Sequence, residues 1–186
     1  MKLRVIAGEF GGRRIDAPKG YEARPTSARA KESLFSSLES RFDFTDADAL
    51  DLYAASGALG IEALSRGARS AVFVDRDRAA VETIRANVEA LRVEDRATIV
   101  RRDARAYARA ADPDAFDLVL ADPPYADDSI YEALKRLGEA GAVREGGAVV
   151  VERAARGREK DEAEFGREPF KLAGEACFYL FGADEL

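Results

Sequence analysis

The sequence predicts an α/β protein with a mainly parallel sheet, helices on both faces and an antiparallel last strand. Three observations carry this. Short apolar runs of strand length alternate with helix-length segments from residue 48 onward, which sets successive strands side by side in one direction. Aspartates stand at or just past the ends of the first four runs: Asp51, Asp75, Asp103 and Asp122. The last two runs, 147–151 and 176–181, are joined by a charged, glycine-bearing stretch with little helical pattern, so the last strand reads as antiparallel.

Composition narrows the classes. With 47% hydrophobic and 34% charged residues in 186, the chain has material for one substantial core. No apolar run approaches the ~20 residues of a membrane helix. The single Cys177 lies in an apolar run and suits a buried thiol in a reducing cytoplasm. The absence of histidine removes histidine bases and most zinc sites, so no metal is expected. The net charge is −6, yet residues 1–31 carry eight basic and three acidic side chains. That polarity predicts a basic face on an acidic body.

Residues 3–7 and 12–17 read as two short strands, with Glu9-Phe10-Gly11-Gly12 as the turn. Pro18, Gly20 and Pro25 break the pattern, and Thr26 or Ser27 can cap a helix whose apolar stripe is Ala30, Leu34, Phe35 and Leu38. Arg29 lies one position off that stripe, and Lys31 further round. Residues 49–53 form the next strand, and Ala54–Gly60 a tight turn into a helix closed by Gly67. Strand 71–75 follows. Asp77 then caps a helix with Val81, Ile84, Val88 and Leu91 on its apolar face. Strand 97–100 ends near Asp103. The buried-strand run 115–121 must stop at Asp122, because neither Pro123 nor Pro124 has an N–H for a ladder. A helix around 129–140 and the two runs named above complete the elements, with 153–168 as charged surface.

The strand ends suggest chemistry. Asp75 lies 18 residues beyond Gly57, near the offset of a carboxylate that binds a ribose diol. Asp103 suits an adenine amino group, and Asp51 and Asp122 suit a positive charge. The ligand so described bears adenosine and is cationic. Asp122 and the proline carbonyls can accept both hydrogens of a flat amine, and Tyr125 offers a face for a stacked base. The Ala55-x-Gly57-x-x-Gly60 pattern also matches a dinucleotide fingerprint with alanine first.

The segment Asp51-Leu52-Tyr53-Ala54-Ala55-Ser56-Gly57-Ala58-Leu59-Gly60, with Leu64-Ser65-Arg66-Gly67-Ala68 and Asp122-Pro123-Pro124-Tyr125, resembles the RsmD-type methyltransferases. So do Arg4-Val5-Ile6-Ala7-Gly8, Gly11-Gly12-Arg13-Arg14 and Arg24-Pro25-Thr26-Ser27. The resemblance runs from residue 4 to about 125. It implies a Rossmann-like methyltransferase fold with a seven-stranded sheet over 46–186 and a basic, RNA-contacting extension of hairpin and helix over 1–45. It implies S-adenosylmethionine as cofactor, S-adenosylhomocysteine as product, and the N2 amine of a guanine in 16S ribosomal RNA as acceptor. Asp51 and the Ala55-Ser56-Gly57 turn would meet the methionine part, Asp75 the ribose and Asp103 the adenine, with Tyr53, Arg76 and Ala104 beside them. Asp122, Pro123, Pro124 and Tyr125 would meet the amine. Arg13, Arg14, Arg24, Arg29 and Lys31 would meet RNA, free or in a small subunit. A cytoplasmic monomer without membrane contact is expected. This chain departs from the family with Ala55 where glycine is usual and Ala28 where aspartate is usual. If residue 55 needs a positive φ, alanine there costs about 1–2 kcal/mol. Two other readings stay open: the same chemistry on DNA bases or a protein glutamine, and a nicotinamide-binding module without methyl transfer.

Overall fold

The structure, a computed structural model, describes residues 1–18 and 27–186, the side chain of Ser27 excepted. A short antiparallel pair, β1 (Lys2–Arg4) and β2 (Arg14–Asp16), opens the chain with Leu3 opposite Ile15. Their connection is longer than the expected Gly-Gly turn. Residues 6–10 leave the hairpin to dock on the rest of the protein, where Glu9 N donates to Ser65 O at 2.7 Å. Gly8, at φ +79°, has Ser65 O only 1.8 Å from where a Cβ would stand. That approach admits no side chain. Helix α1 (Ser27–Leu38) follows, and Ala30, Leu34, Phe35 and Leu38 are all buried, as the stripe predicts.

The rest alternates as expected: β3 (Asp48–Leu52), α2 (Ala58–Ser65), β4 (Ser70–Asp75), α3 (Arg78–Leu91), β5 (Ala97–Arg101), α4 (Ala104–Ala108), β6 (Phe116–Ala121) and α5 (Ser129–Glu139). β7 (Val143–Ala154), α6 (Glu159–Phe165), β8 (Lys171–Ala173) and β9 (Ala176–Gly182) complete it. Asp77 caps α3 as predicted, accepting from Ala79 N at 2.7 Å. The seven-stranded sheet has the order β5-β4-β3-β6-β7-β9-β8, with β9 antiparallel to both neighbours. Two features correct the expectation for the C-terminal part: 153–168 contains α6, and β8 pairs outside β9.

Strand alternation splits the core. On β6, Leu118 and Leu120 join the cluster that includes Leu34, Ile61, Phe73 and Ile84. Val119 and Ala121 join the cluster that includes Ile130, Leu134 and Tyr179. The sheet is therefore covered on both faces. Val5, Phe10 and Ile15 belong to the first cluster, so the N-terminal hairpin shares its core with the sheet. The chain runs from β3 outward through β4 to β5, then returns to β6 on the other side of β3. That reversal opens a crevice beyond the C-terminal ends of β3 and β6. Among the described residues, no helix is long and apolar enough to cross a membrane.

Candidate active site

A cleft of about 340 Å³ opens at this reversal point, within the range of small-molecule sites. Its walls include Tyr53, Ala55, Asp75, Arg76, Asp103, Ala104, Asp122 and Pro124, all singled out by the sequence. Asp122 and Pro124 therefore share one space with Asp75 and Asp103.

Beneath the cleft lies Asp51, 1% exposed, accepting from Gly60 N at 2.8 Å. Burial pushes its carboxyl well above the ordinary carboxylate range; the Gly60 N–H opposes this, and the Asp122 and Asp75 carboxylates add to the rise. A cation in the cleft would favour the ionised form. Asp75 accepts from Ala55 N at 2.9 Å through one oxygen and from Asp77 N at 2.8 Å through the other. It thus ties the turn after β3 to the end of β4. Asp103 caps α4 through Arg105 N and Ala106 N, and its two oxygens take the Arg105 Nε and Nη2 at 3.1 and 3.2 Å. The Arg105 guanidinium holds the Asp103 carboxyl below its ordinary value. The Tyr53 hydroxyl bonds Ser129 Oγ at 2.8 Å, and burial pushes it up to about 12.

Ser56 and Gly57 were expected on the cleft wall, but both are buried under the turn. The Ser56 carbonyl accepts from Asn87 Nδ2 at 2.9 Å, and that same amide group pairs with both backbone atoms of Asp16. Gly57, at φ +77°, turns its missing side chain toward Phe73, 3.2 Å from a built Cβ. A side chain there would meet both a left-handed backbone and the core. Pro123 is buried and Tyr125 half-buried.

Ala55 adopts φ +48°, the left-handed conformation that alanine resists. Ala55→Gly should remove about 1–2 kcal/mol of strain and lose roughly 0.4–1 kcal/mol to unfolded-state entropy. The net stabilisation expected is between zero and about 1.6 kcal/mol, read as a higher denaturation midpoint at unchanged slope. A lower midpoint would mean that the strain is not there.

Of the basic residues expected to meet RNA, Arg13, Arg14, Arg29 and Lys31 do not line the cleft. Arg13 and Arg14 are exposed on the hairpin, and Arg13 Nη2 donates to Ala90 O at 2.9 Å. Arg29 is exposed on α1, and Arg24 falls outside the described residues. Lys31 corrects the expectation that groups it with them. It turns inward, 7% exposed, to bond Arg4 O at 2.9 Å and pair with Glu62 at 3.1 Å. A buried carboxylate on another element draws the ammonium in. The cleft also takes Pro18, Arg102 and Asp127, which sequence reasoning missed. Asp127 left one signal: it stands two residues before Ser129, whose N–H it caps at 2.9 Å.

The family described as "Conserved hypothetical protein 95" matches residues 3–181. The Bacillus subtilis protein YlbH, whose name proposes an rRNA methyltransferase, is 38% identical over 152 residues, covering 81% of this chain and 82% of its own. The Escherichia coli K12 protein named ribosomal RNA small subunit methyltransferase D is 31% identical over 182 residues, covering 97% of this chain and 89% of its own. Among solved structures, the Escherichia coli yhhF protein, described as a methyltransferase, superposes with a TM-score of 0.79 at 28% identity, over 98% of each chain.

Proposed function

The chain belongs to the RsmD-type methyltransferase family, and on that premise we propose that it methylates the N2 amine of a guanine in 16S ribosomal RNA with S-adenosylmethionine. The observation that carries the reading is the shared cleft. Asp122, at the end of β6, opens onto the same space as Asp75 and Asp103. An amine acceptor and an adenosine-bearing donor can therefore meet there.

The residues fit that donor. Bound S-adenosylmethionine supplies an electrophilic methyl group on a positively charged sulfur. Asp75 and Asp122 create a negative field at the strand ends, which Asp51 joins when it ionises, and a unit charge ~4 Å from a carboxylate gains about 4 kcal/mol at an effective dielectric of 20. Asp75 would take the ribose hydroxyls with its remaining lone pairs, and the Asp103 side the adenine. Tyr53, Ala55, Arg76 and Ala104 would complete the walls.

On the acceptor side, a base amine is a poor nucleophile because its lone pair is delocalised into the ring. Asp122 and the Pro123 carbonyl would accept its two hydrogens and favour the pyramidal form. Tyr125 would stack on a guanine flipped from its helix, worth about 1–3 kcal/mol. Positioning and preset dipoles then supply the rate. The extension over 1–45, with Arg13, Arg14, Arg24 and Arg29, would grip phosphates of cytoplasmic ribosomal RNA in an assembling or assembled small subunit.

A labelled-methyl assay on undermethylated small subunits, DNA and protein tests this. Label on guanine N2 of ribosomal RNA is expected. Label in DNA or protein alone would overturn it, as would calorimetry showing binding of NAD but not of S-adenosylhomocysteine.

Affinity should also depend on pH with a definite sign. Protonated Asp51 offers no charge to a cation, so a cationic ligand must displace that proton. Affinity for S-adenosylmethionine should rise as pH rises through the displaced Asp51 value, above the ordinary carboxylate value of about 4. The rise should be steeper than for S-adenosylhomocysteine, whose sulfur is neutral. Calorimetry in buffers of different ionisation enthalpy would count the proton released, and equal slopes for the two ligands would refute the role.

A further inference from the structure

We propose that Arg153, on β7, is the positioning residue that fixes the loop from Asp122 to Asp127 for methyl transfer, without touching cofactor or acceptor. This rests on the function proposed above, since the loop it holds is the one assigned to the amine.

Arg153 is 3% exposed. Its Nη1 donates to Pro124 O at 3.4 Å and to Asp127 O at 3.2 Å. Those two carbonyls bracket a turn that Asp127 N closes on Pro124 O at 2.8 Å. Consecutive prolines end the strand and leave this stretch with no ladder to hold it. The guanidinium stands where a neighbouring strand would otherwise supply the bonds. Its own orientation is fixed from behind. Arg153 Nε donates to Asp161 Oδ1 at 2.7 Å, and the Tyr131 hydroxyl donates to the same oxygen at 2.6 Å. Asp161 is itself buried on α6, and Arg153 lies over the Tyr131 ring at 5.7 Å. Arginine suits the task because its donors lie in one rigid plane; a lysine ammonium is a point donor on a flexible stem. α6 thus delivers one carboxylate that aims one guanidinium at the carbonyls of the acceptor loop.

The test uses the full chain as wild type, Arg153→Lys, and the double variant Arg153→Met with Asp161→Leu. Single-turnover methyl transfer to undermethylated small subunits, S-adenosylhomocysteine affinity by calorimetry, and amide hydrogen exchange over 125–129 are measured. Both variants should transfer at least tenfold more slowly, bind S-adenosylhomocysteine within twofold of wild type, and exchange the loop amides at least tenfold faster. A wild-type transfer rate in either folded variant overturns the proposal, as does a parallel loss of affinity and rate. If Arg153→Lys fails to fold, the double variant decides alone, because exchanging both charges for apolar side chains leaves no orphaned ion. If the wild type methylates no acceptor, the proposed function has failed, and loop exchange in the variants still decides whether Arg153 holds the loop.

Discussion

Asp122→Ala should lower single-turnover methyl transfer by about 10²–10³-fold, the scale seen when one preset polar partner of a reacting group is removed. The carboxylate stands half-buried at the end of β6, on the wall of the cleft and outside both apolar clusters. Its loss should therefore leave the apolar core and the fold intact. Asp122 is also one of the carboxylates that raise Asp51, so the alanine variant should ionise Asp51 more readily and keep much of its cofactor affinity. Asp122→Asn retains one acceptor oxygen and should lose less rate than alanine. Full activity in the alanine variant would remove Asp122 from the acceptor site.

The largest stability effect is expected at Glu62. This fully buried carboxylate accepts from Ile6 N at 2.9 Å, Ala7 N at 3.1 Å and Arg66 Nε at 3.1 Å, and it pairs with Lys31 Nζ at 3.1 Å. It joins the N-terminal segment, α1 and α2 at one point. Glu62→Ala would strand a buried ammonium and two backbone amides, a loss of about 3–5 kcal/mol. For a domain of this size that is a drop of roughly 6–20 °C in midpoint. A shift below about 2 °C in a thermal melt would show that the carboxylate is not the junction described here.

What the sequence disclosed and what it hid divide along physical lines. β3, β4 and β6 were legible because an inner strand of a covered sheet needs an apolar run, and the edge strand β5 because of its β-branched Thr98-Ile99-Val100. The Asp77 cap and the stripe of α3 were legible because both are local. The end of β6 at Asp122 was legible because prolines lack a donor. The hidden parts depend on partners distant in the chain. Lys31 looks like a surface residue on its own helix and is buried only because Glu62 meets it. Arg153 and Asp161 sit in a charged stretch that reads as solvated until the fold pairs them. The packing of Gly57 was hidden because its neighbour Phe73 belongs to the next strand. Ala55, by contrast, raised a conditional question about φ that the backbone answers with a positive value.

The placement of β9 between β7 and β8 constrains the order of assembly. β8 is made before β9, yet it reaches the sheet only through β9. The two strands are joined by Gly174 and Glu175 and can zip locally as a tight hairpin. The earlier strand must therefore wait for the later one before it can join the sheet. Refolding followed through Tyr179 and through β8 amides should show β8 protected no earlier than β9.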